Sequence, residues 1–264
     1  MSNNLEGKTA LITGASKGVG EAIAEIFGKH KMKIGLIARS AKKLNHVARK
    51  VKEAGGQALV LKTDLKNQHE IENALAKIKQ EYGFVDFLIN NAGIGYRGYW
   101  NDLSLEKDLE TFSVNYHAPV ILIRHLLPDM LSENKGHVIN INSIAGLYAA
   151  PYQGSYAASK SALVAYVESL AFELENTKVK ISTIFPGPID TDFLNGRNFI
   201  SFKKSPDMVT AKYIAEKIFS LIEKPKERLF IGSPAKLLAT KIAFFHPRFF
   251  RKIIEKKNTP PEHI

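Results

Sequence analysis

Tyr156 and Lys160 lie four residues apart in the stretch YAASKSALVAYVESLAFEL. On a helix that spacing places a phenol and an ammonium on one face, one turn apart. The chemistry open to such a pair is proton exchange, with the cation making the phenol more acidic. Leu163, Tyr166, Val167, Leu170 and Leu174 recur at helical spacing, so the helix has a core face. A lysine is seldom fully buried unless paired. Taken alone, the stretch reads most simply as Lys160 reaching solvent along its alkyl stem beside a surface tyrosine. What the other elements bring to the pair decides between the two readings.

Those elements are legible as an alternation. Short apolar runs rich in β-branched residues fall at 8–13, 33–38, 58–64, 85–90, 136–143, 179–187 and 228–232. Helical patterns lie between them, near 20–30, 41–54, 68–81, 105–131, 153–175 and 209–222. Strict alternation of this kind predicts an α/β fold, a doubly wound parallel sheet of about seven strands with helices on both faces. The 264 residues, 45% hydrophobic, suit one large domain. No repeat or linker divides 1–232, which is the expected domain; 233–264 is a basic, aromatic extension.

Composition excludes several classes. The chain has no cysteine, so disulfides, a cysteine nucleophile and thiolate metal sites are ruled out. Its eight histidines show no H-E-x-x-H spacing, and no metal is expected. The start lacks a signal-peptide pattern, and no apolar run is long enough to span a bilayer; a cytoplasmic protein is expected. The formal charge of +11 is joined by no nucleic-acid motif, so no nucleic-acid partner is expected.

In open parallel sheets ligands bind beyond the carboxyl ends of the strands. After the first run comes TGASKGVG, with Gly14, Gly18 and Gly20 leading into a helix. Glycine permits the tight turn and close backbone approach, and the exposed N–H groups at the helix start favour an anion. Strand before and helix after make this a dinucleotide-binding loop rather than a plain turn. Many NAD sites place an acid about 20 residues on, for the ribose 2′-hydroxyl. Here the second run ends in Ala38 and Arg39. Arginine can grip a 2′-phosphate, and Lys17 adds a second cation, so NADP(H) is favoured over NAD(H). Asp64 ends the third run and could accept from the adenine amino group, with Leu65 donating from its backbone; it could equally cap the next helix, although Asn67 is better placed. The fourth run ends in Asn90, Asn91, Ala92 and Gly93, small enough for a cofactor to lie against the backbone.

TGASKGVG, NNAG, Ser143 after the fifth run, YAASK and PGPIDT (186–191) occur in the order of the short-chain dehydrogenase/reductase family, and 5–232 resembles it. The resemblance implies an NAD(P)-dependent oxidoreductase on a Rossmann-like domain, often a homodimer or homotetramer. It implies that Ser16 and Val19 join the glycine loop in holding the cofactor, and that Pro186, Gly187, Ile189 and Thr191 meet the nicotinamide amide. Tyr156 becomes the general acid, Lys160 its activator and a nicotinamide-ribose ligand, and Ser143 the donor to the substrate oxygen. Asn115 matches the helix asparagine that supports a water-linked proton relay; within a helix it can also bond locally or face solvent. Lowering a phenol from about 10 to about 7 takes roughly 4 kcal/mol. One cation ~4 Å away at an effective dielectric of ~20 supplies about that. A catalytically inactive NADP(H)-binding scaffold or redox sensor would have no physical need of both groups.

Residues 190–208 fall where the family has its substrate lid. Phe193, Leu194, Phe199, Ile200 and Phe202 there suit a hydrophobic small-molecule carbonyl or alcohol, or else packing contacts. A 3-oxoacyl thioester and a hydroxysteroid or lipid ketone stand as subclasses. In the tail, Leu238, Ile242, Phe245, Phe249 and Ile253 lie three or four apart among basic residues. That stripe fits packing on protein or peripheral contact with an acidic bilayer surface.

Overall fold

The central strands are buried almost end to end because both of their faces are covered, while the edge strands at 57–62 and 228–231 are only partly buried. The computed structural model describes residues 5–149, 151–190 and 208–232, with isolated positions 242, 245, 248 and 252. Its elements run β1 (Thr9–Thr13), α1 (Gly18–Lys29), β2 (Lys33–Ala38), α2 (Ala41–Glu53), β3 (Gln57–Lys62), α3 (Gln68–Tyr82) and β4 (Phe87–Asn90). Then follow α4 (Leu105–Phe112), α5 (Ala118–Ser132), β5 (His137–Ile141), α6 (Gly154–Glu173) and β6 (Lys180–Pro186). The described chain ends with β7 (Ile189–Asp190), β8 (Val209–Thr210), α7 (Ala211–Glu223) and β9 (Arg228–Ile231). Seven strands form one parallel sheet in the order β3-β2-β1-β4-β5-β6-β9. The strand order reverses between β1 and β4, which opens a crevice at their carboxyl ends.

Side-chain alternation assigns the two faces. Ala10 and Ile12 pack with Ile23 and Phe27 of α1, Leu44 and Val47 of α2, and Ile214 and Ile218 of α7. Leu11 points the other way, into a cluster with Ile71 and Ile78 of α3, Leu122 and Leu126 of α5, and Leu163 and Val167 of α6. Each fully buried side chain of this kind contributes about 1.5–3 kcal/mol. Local signals set the helix starts. Asn67 accepts from His69 and Glu70 N–H at the start of α3, and Ser40 accepts from Lys43 N–H at the start of α2.

Two features depart from the sequence pattern. The single helix expected over 105–131 is interrupted by a π turn at Ser113–His117, which inserts extra backbone between α4 and α5. β7 and β8 form a separate two-stranded parallel ribbon that no alternation announced. Thr191, the lid residues Phe193, Leu194, Phe199, Ile200 and Phe202, and Leu238, Phe249 and Ile253 of the tail stripe lie outside the described residues. Among the described residues no helix is long and apolar enough to cross a membrane.

At the far end of the sheet from the crevice, His137 begins β5 with 4% of its surface exposed, its Nε2 2.8 Å from Ser182 Oγ. Burial, helped by the Lys180 charge, pushes its pKa from 6.5 down to about 4. Between those values the unfolded chain binds a proton that the folded chain refuses. The contribution is therefore whole above pH 6.5 and is lost as pH falls toward 4, about 3 kcal/mol in all. Thermal melts across that interval are expected to show a shallower acid-side slope for His137→Gln than for the parent; equal slopes would refute this account.

Candidate active site

The first turn of the site is built by packing backbone on backbone. Gly14 and Gly18 have φ of +65° and +63°. A Cβ on Gly14 would lie 2.9 Å from Ala92 Cα, and one on Gly20 would lie 2.5 Å from the Gly14 carbonyl oxygen. The loop is pressed against 91–92 and held there. Asn91 Nδ2 donates to Thr13 O at 2.8 Å, and Thr13 Oγ1 accepts from the N–H groups of Asn91 and Ala92, each at 3.0 Å. The start of α1 therefore faces an open cleft of about 700 Å³ with its N–H groups unused by a cap side chain.

That cleft brings together most of the residues singled out from sequence. Gly14, Ser16, Lys17, Gly18 and Val19 line it from the first turn, Arg39 from the second, and Asp64 and Leu65 from the third. Asn91, Ala92 and Gly93 form part of its floor, Tyr156 and Lys160 stand at one end, and Ile189 contributes from β7. Gly20 serves the loop's packing rather than the cleft wall. Pro186 ends β6 and Gly187 follows it; neither lines the cleft, and Gly187 N–H donates to Ile231 O at 2.8 Å. The donors fit a dinucleotide: a helix start for a pyrophosphate, cations at the second turn, and an acid at the third. Asp64 also braces its own turn, accepting from Lys66 N–H at 3.0 Å.

Sequence reasoning missed several lining residues. Ser40 and Lys43 stand beside Arg39 at the start of α2. At the Asp64 end, Lys66 Nζ lies 3.1 Å from Glu110 Oε1, while Tyr96 Oη donates to Glu110 Oε2 at 2.6 Å. The Tyr96 hydrogen bond, then Lys66, hold the Glu110 carboxyl below its usual range. Spacing alone gave these residues no partner.

At the reacting end Lys160 and Asn115 are deeply buried, while Tyr156 and Ser143 are half-buried. Lys160 is 4% exposed, so it does not reach solvent as the isolated stretch suggested. Its Nζ donates to Ile141 O at 3.0 Å, and Gly93 leaves room beside it, since a Cβ there would sit 3.6 Å from Nζ. Tyr156 hydrogen-bonds to the side chain of Ser143, which the end of β5 supplies. Asn115, turned inward by the π turn, accepts from Ile94 N–H at 2.9 Å. Its Nδ2 donates to Ile94 O at 2.8 Å and to Ser159 Oγ at 3.0 Å, and Ser159 Oγ in turn donates to Tyr156 O at 2.9 Å. Asn115 thus stitches the loop after β4 to α6 and does not face solvent.

The electrostatics correct one expectation. The phenol of Tyr156 is not made more acidic: burial raises it from 10 to about 12, opposed by the Ser143 hydrogen bond. Burial lowers Lys160 from 10.5 to about 8. The physical reason is that desolvation disfavours both charged forms, while the ammonium is spent on the Ile141 carbonyl. The pair rests as a neutral phenol and an ammonium that gives up its proton more readily than an ordinary lysine.

A family profile described as short chain dehydrogenase matches residues 8–198. Dehydrogenase/reductase SDR family member 7B of Rattus norvegicus is 31% identical over 96% of this chain and 82% of its own. The alcohol dehydrogenase of the archaeon Thermococcus sibiricus, solved with 5-hydroxy-NADP, superposes with a TM-score of 0.78 at 28% identity, over 86% of this chain and 97% of that one. A short-chain dehydrogenase/reductase of Burkholderia phymatum, solved with NAD, gives a TM-score of 0.83 at 25% identity over 99% of each. Sheet order, glycine turn and the breadth of these matches lead to one conclusion: the chain belongs to the short-chain dehydrogenase/reductase family of nicotinamide-dependent oxidoreductases.

Proposed function

We propose that the protein transfers a hydride between NADP(H) and the carbonyl or alcohol of a hydrophobic small molecule, with Tyr156 as general acid and base. The observation that carries this reading is the Tyr156–Ser143 hydrogen bond, half-buried and one helical turn from the fully buried Lys160, in a cleft that Arg39 and Lys43 also line. When bound, the reduced nicotinamide supplies the hydride.

The chain's own residues do the rest. Ser143 donates to the substrate oxygen as negative charge builds there. Tyr156, kept protonated by its burial, gives that oxygen its proton. The raised phenol suits reduction, since the acid must hold its proton until the oxygen becomes basic. Lys160, as the ammonium, then stabilises the phenolate left behind, and Asn115 holds the loop and helix between which a proton can return. For alcohol oxidation the same groups act in reverse, with Tyr156 as base. Arg39, Ser40 and Lys43 receive the 2′-phosphate, and Ala38 leaves no acid to oppose it.

The test is turnover of a panel of ketones and aldehydes, including a 3-oxoacyl thioester and a steroid ketone, followed by nicotinamide absorbance. Consumption of NADPH in preference to NADH is expected with at least one apolar carbonyl. Failure to bind NADPH would overturn the coenzyme assignment, and NADPH binding without turnover of any of them would favour a scaffold.

A further inference from the structure

Asn142 has no role in the reading above, yet its side chain touches both halves of the proposed catalytic set. It follows β5, is 3% exposed, and immediately precedes Ser143. Its Oδ1 accepts from Ser143 N–H at 2.8 Å, and its Nδ2 donates to Lys160 O at 3.0 Å. Only one orientation of the amide satisfies both, because one partner is a donor and the other an acceptor. The backbone of Asn142 is itself anchored in the sheet, with its N–H donating to Ile184 O at 2.9 Å. Lys160 answers from the other side, its Nζ donating to Ile141 O. Residues 141–143 and Lys160 thus form a closed set of hydrogen bonds linking the end of β5 to α6.

The frame around this bridge is tight. A Cβ on Gly146 would fall 2.4 Å from Asn142 Oδ1 and 3.2 Å from the Lys160 carbonyl carbon. Gly146 also accepts from Ser161 Oγ at 2.8 Å, so the turn after Ser143 is fixed to the same helix. No side chain at 146 can coexist with Asn142 in its observed place.

We propose that Asn142, framed by Gly146, is a positioning residue that sets the distance between the Ser143 hydroxyl and the Tyr156–Lys160 turn of α6. This rests on the catalytic reading of those three groups. The bridge restrains the strand end relative to the helix through one amide. Without it, the Lys160 Nζ–Ile141 O, Ser161 Oγ–Gly146 O and Ser143–Tyr156 bonds still join the strand end to α6, but none of them engages the Ser143 N–H. Misplacement by about an ångström is enough to lower a rate about 100-fold.

The experiment compares Asn142→Ala, Gly146→Ala and the double variant with the parent, using a substrate the parent turns over. NADPH affinity, measured by titration, reports folding and an intact cleft independently of turnover. Each single variant is expected to lower kcat by roughly 10–100-fold, with KM and NADPH affinity unchanged. Because both act on one bridge, the double variant is expected to resemble Asn142→Ala alone rather than multiply the losses. Multiplicative losses, an unchanged kcat, or weakened NADPH binding at unchanged kcat would each overturn the proposal. If Asn142→Ala does not fold, Gly146→Ala alone decides by the same split between kcat and KM. Tyr156→Phe is run beside them. If it stays active, the catalytic reading fails; if it is inactive while the bridge variants match the parent, only the positioning role fails.

Discussion

Tyr156→Phe is expected to lower kcat by about 10³-fold or more while NADPH binds as tightly as before. The substitution removes one oxygen from a half-buried ring and leaves the ring's packing in place. A loss of that size corresponds to about 4 kcal/mol of transition-state stabilisation. It falls on kcat because the phenol contributes when the proton moves, not when the coenzyme docks. The pH dependence of the parent should differ by direction. Reduction uses the protonated phenol, whose pKa is raised to about 12, so Tyr156 imposes no limit near neutrality. The titrating partner is Lys160, lowered to about 8, so reduction in the parent is expected to weaken above that pH as the ammonium is lost. Steady-state and single-turnover rates with NADPH and a carbonyl that the parent reduces check both statements. A phenylalanine variant within tenfold of the parent would remove Tyr156 from the chemistry.

The sheet was readable because its central strands are buried on both faces. Continuous apolar runs such as KIGLIA then signal parallel pairing more clearly than alternation would. The glycine loop was readable because Gly14 and Gly18 occupy positive φ, where other residues are strained. The π turn was not, since SVNYH continues a helical pattern, and its extra backbone follows from tertiary bonds: Ile94 and Ser159 claim the Asn115 side chain. Lys43, Lys66 and Glu110 drew no assignment from the sequence, because the cleft that collects them joins segments far apart in sequence. Asn142 was invisible for the same reason, its second partner lying 18 residues on. The Tyr156–Lys160 spacing did locate the pair, but i,i+4 geometry fixes only where the side chains start. It says nothing of the Ile141 carbonyl that takes the ammonium or of the desolvation that raises the phenol.

The second large effect concerns coenzyme choice. Arg39→Ala is expected to lower kcat/KM for NADPH strongly and to leave the value for NADH nearly unchanged. Hydrogen bonds to charged groups are worth about 1.5–3 kcal/mol, which converts to roughly 10–100-fold. Lys43→Met should add a smaller loss, since a flexible ammonium meets a phosphate as a point charge rather than as a fork. Ala38→Asp acts on the other side of the balance. Its carboxylate would repel a 2′-phosphate and offer an acceptor to a 2′-hydroxyl, so adding it to Arg39→Ala is expected to reverse the preference toward NADH. Arg39 and Lys43 are exposed, so NADPH affinity in the parent should fall with salt more steeply than NADH affinity. In Arg39→Ala that difference in slope should shrink. The rates and salt slopes for the two coenzymes answer together. Equal losses for both would mean that Arg39 shapes the second turn of the cleft without reading the phosphate, and that the cations at the start of α2 serve the fold rather than the choice of coenzyme.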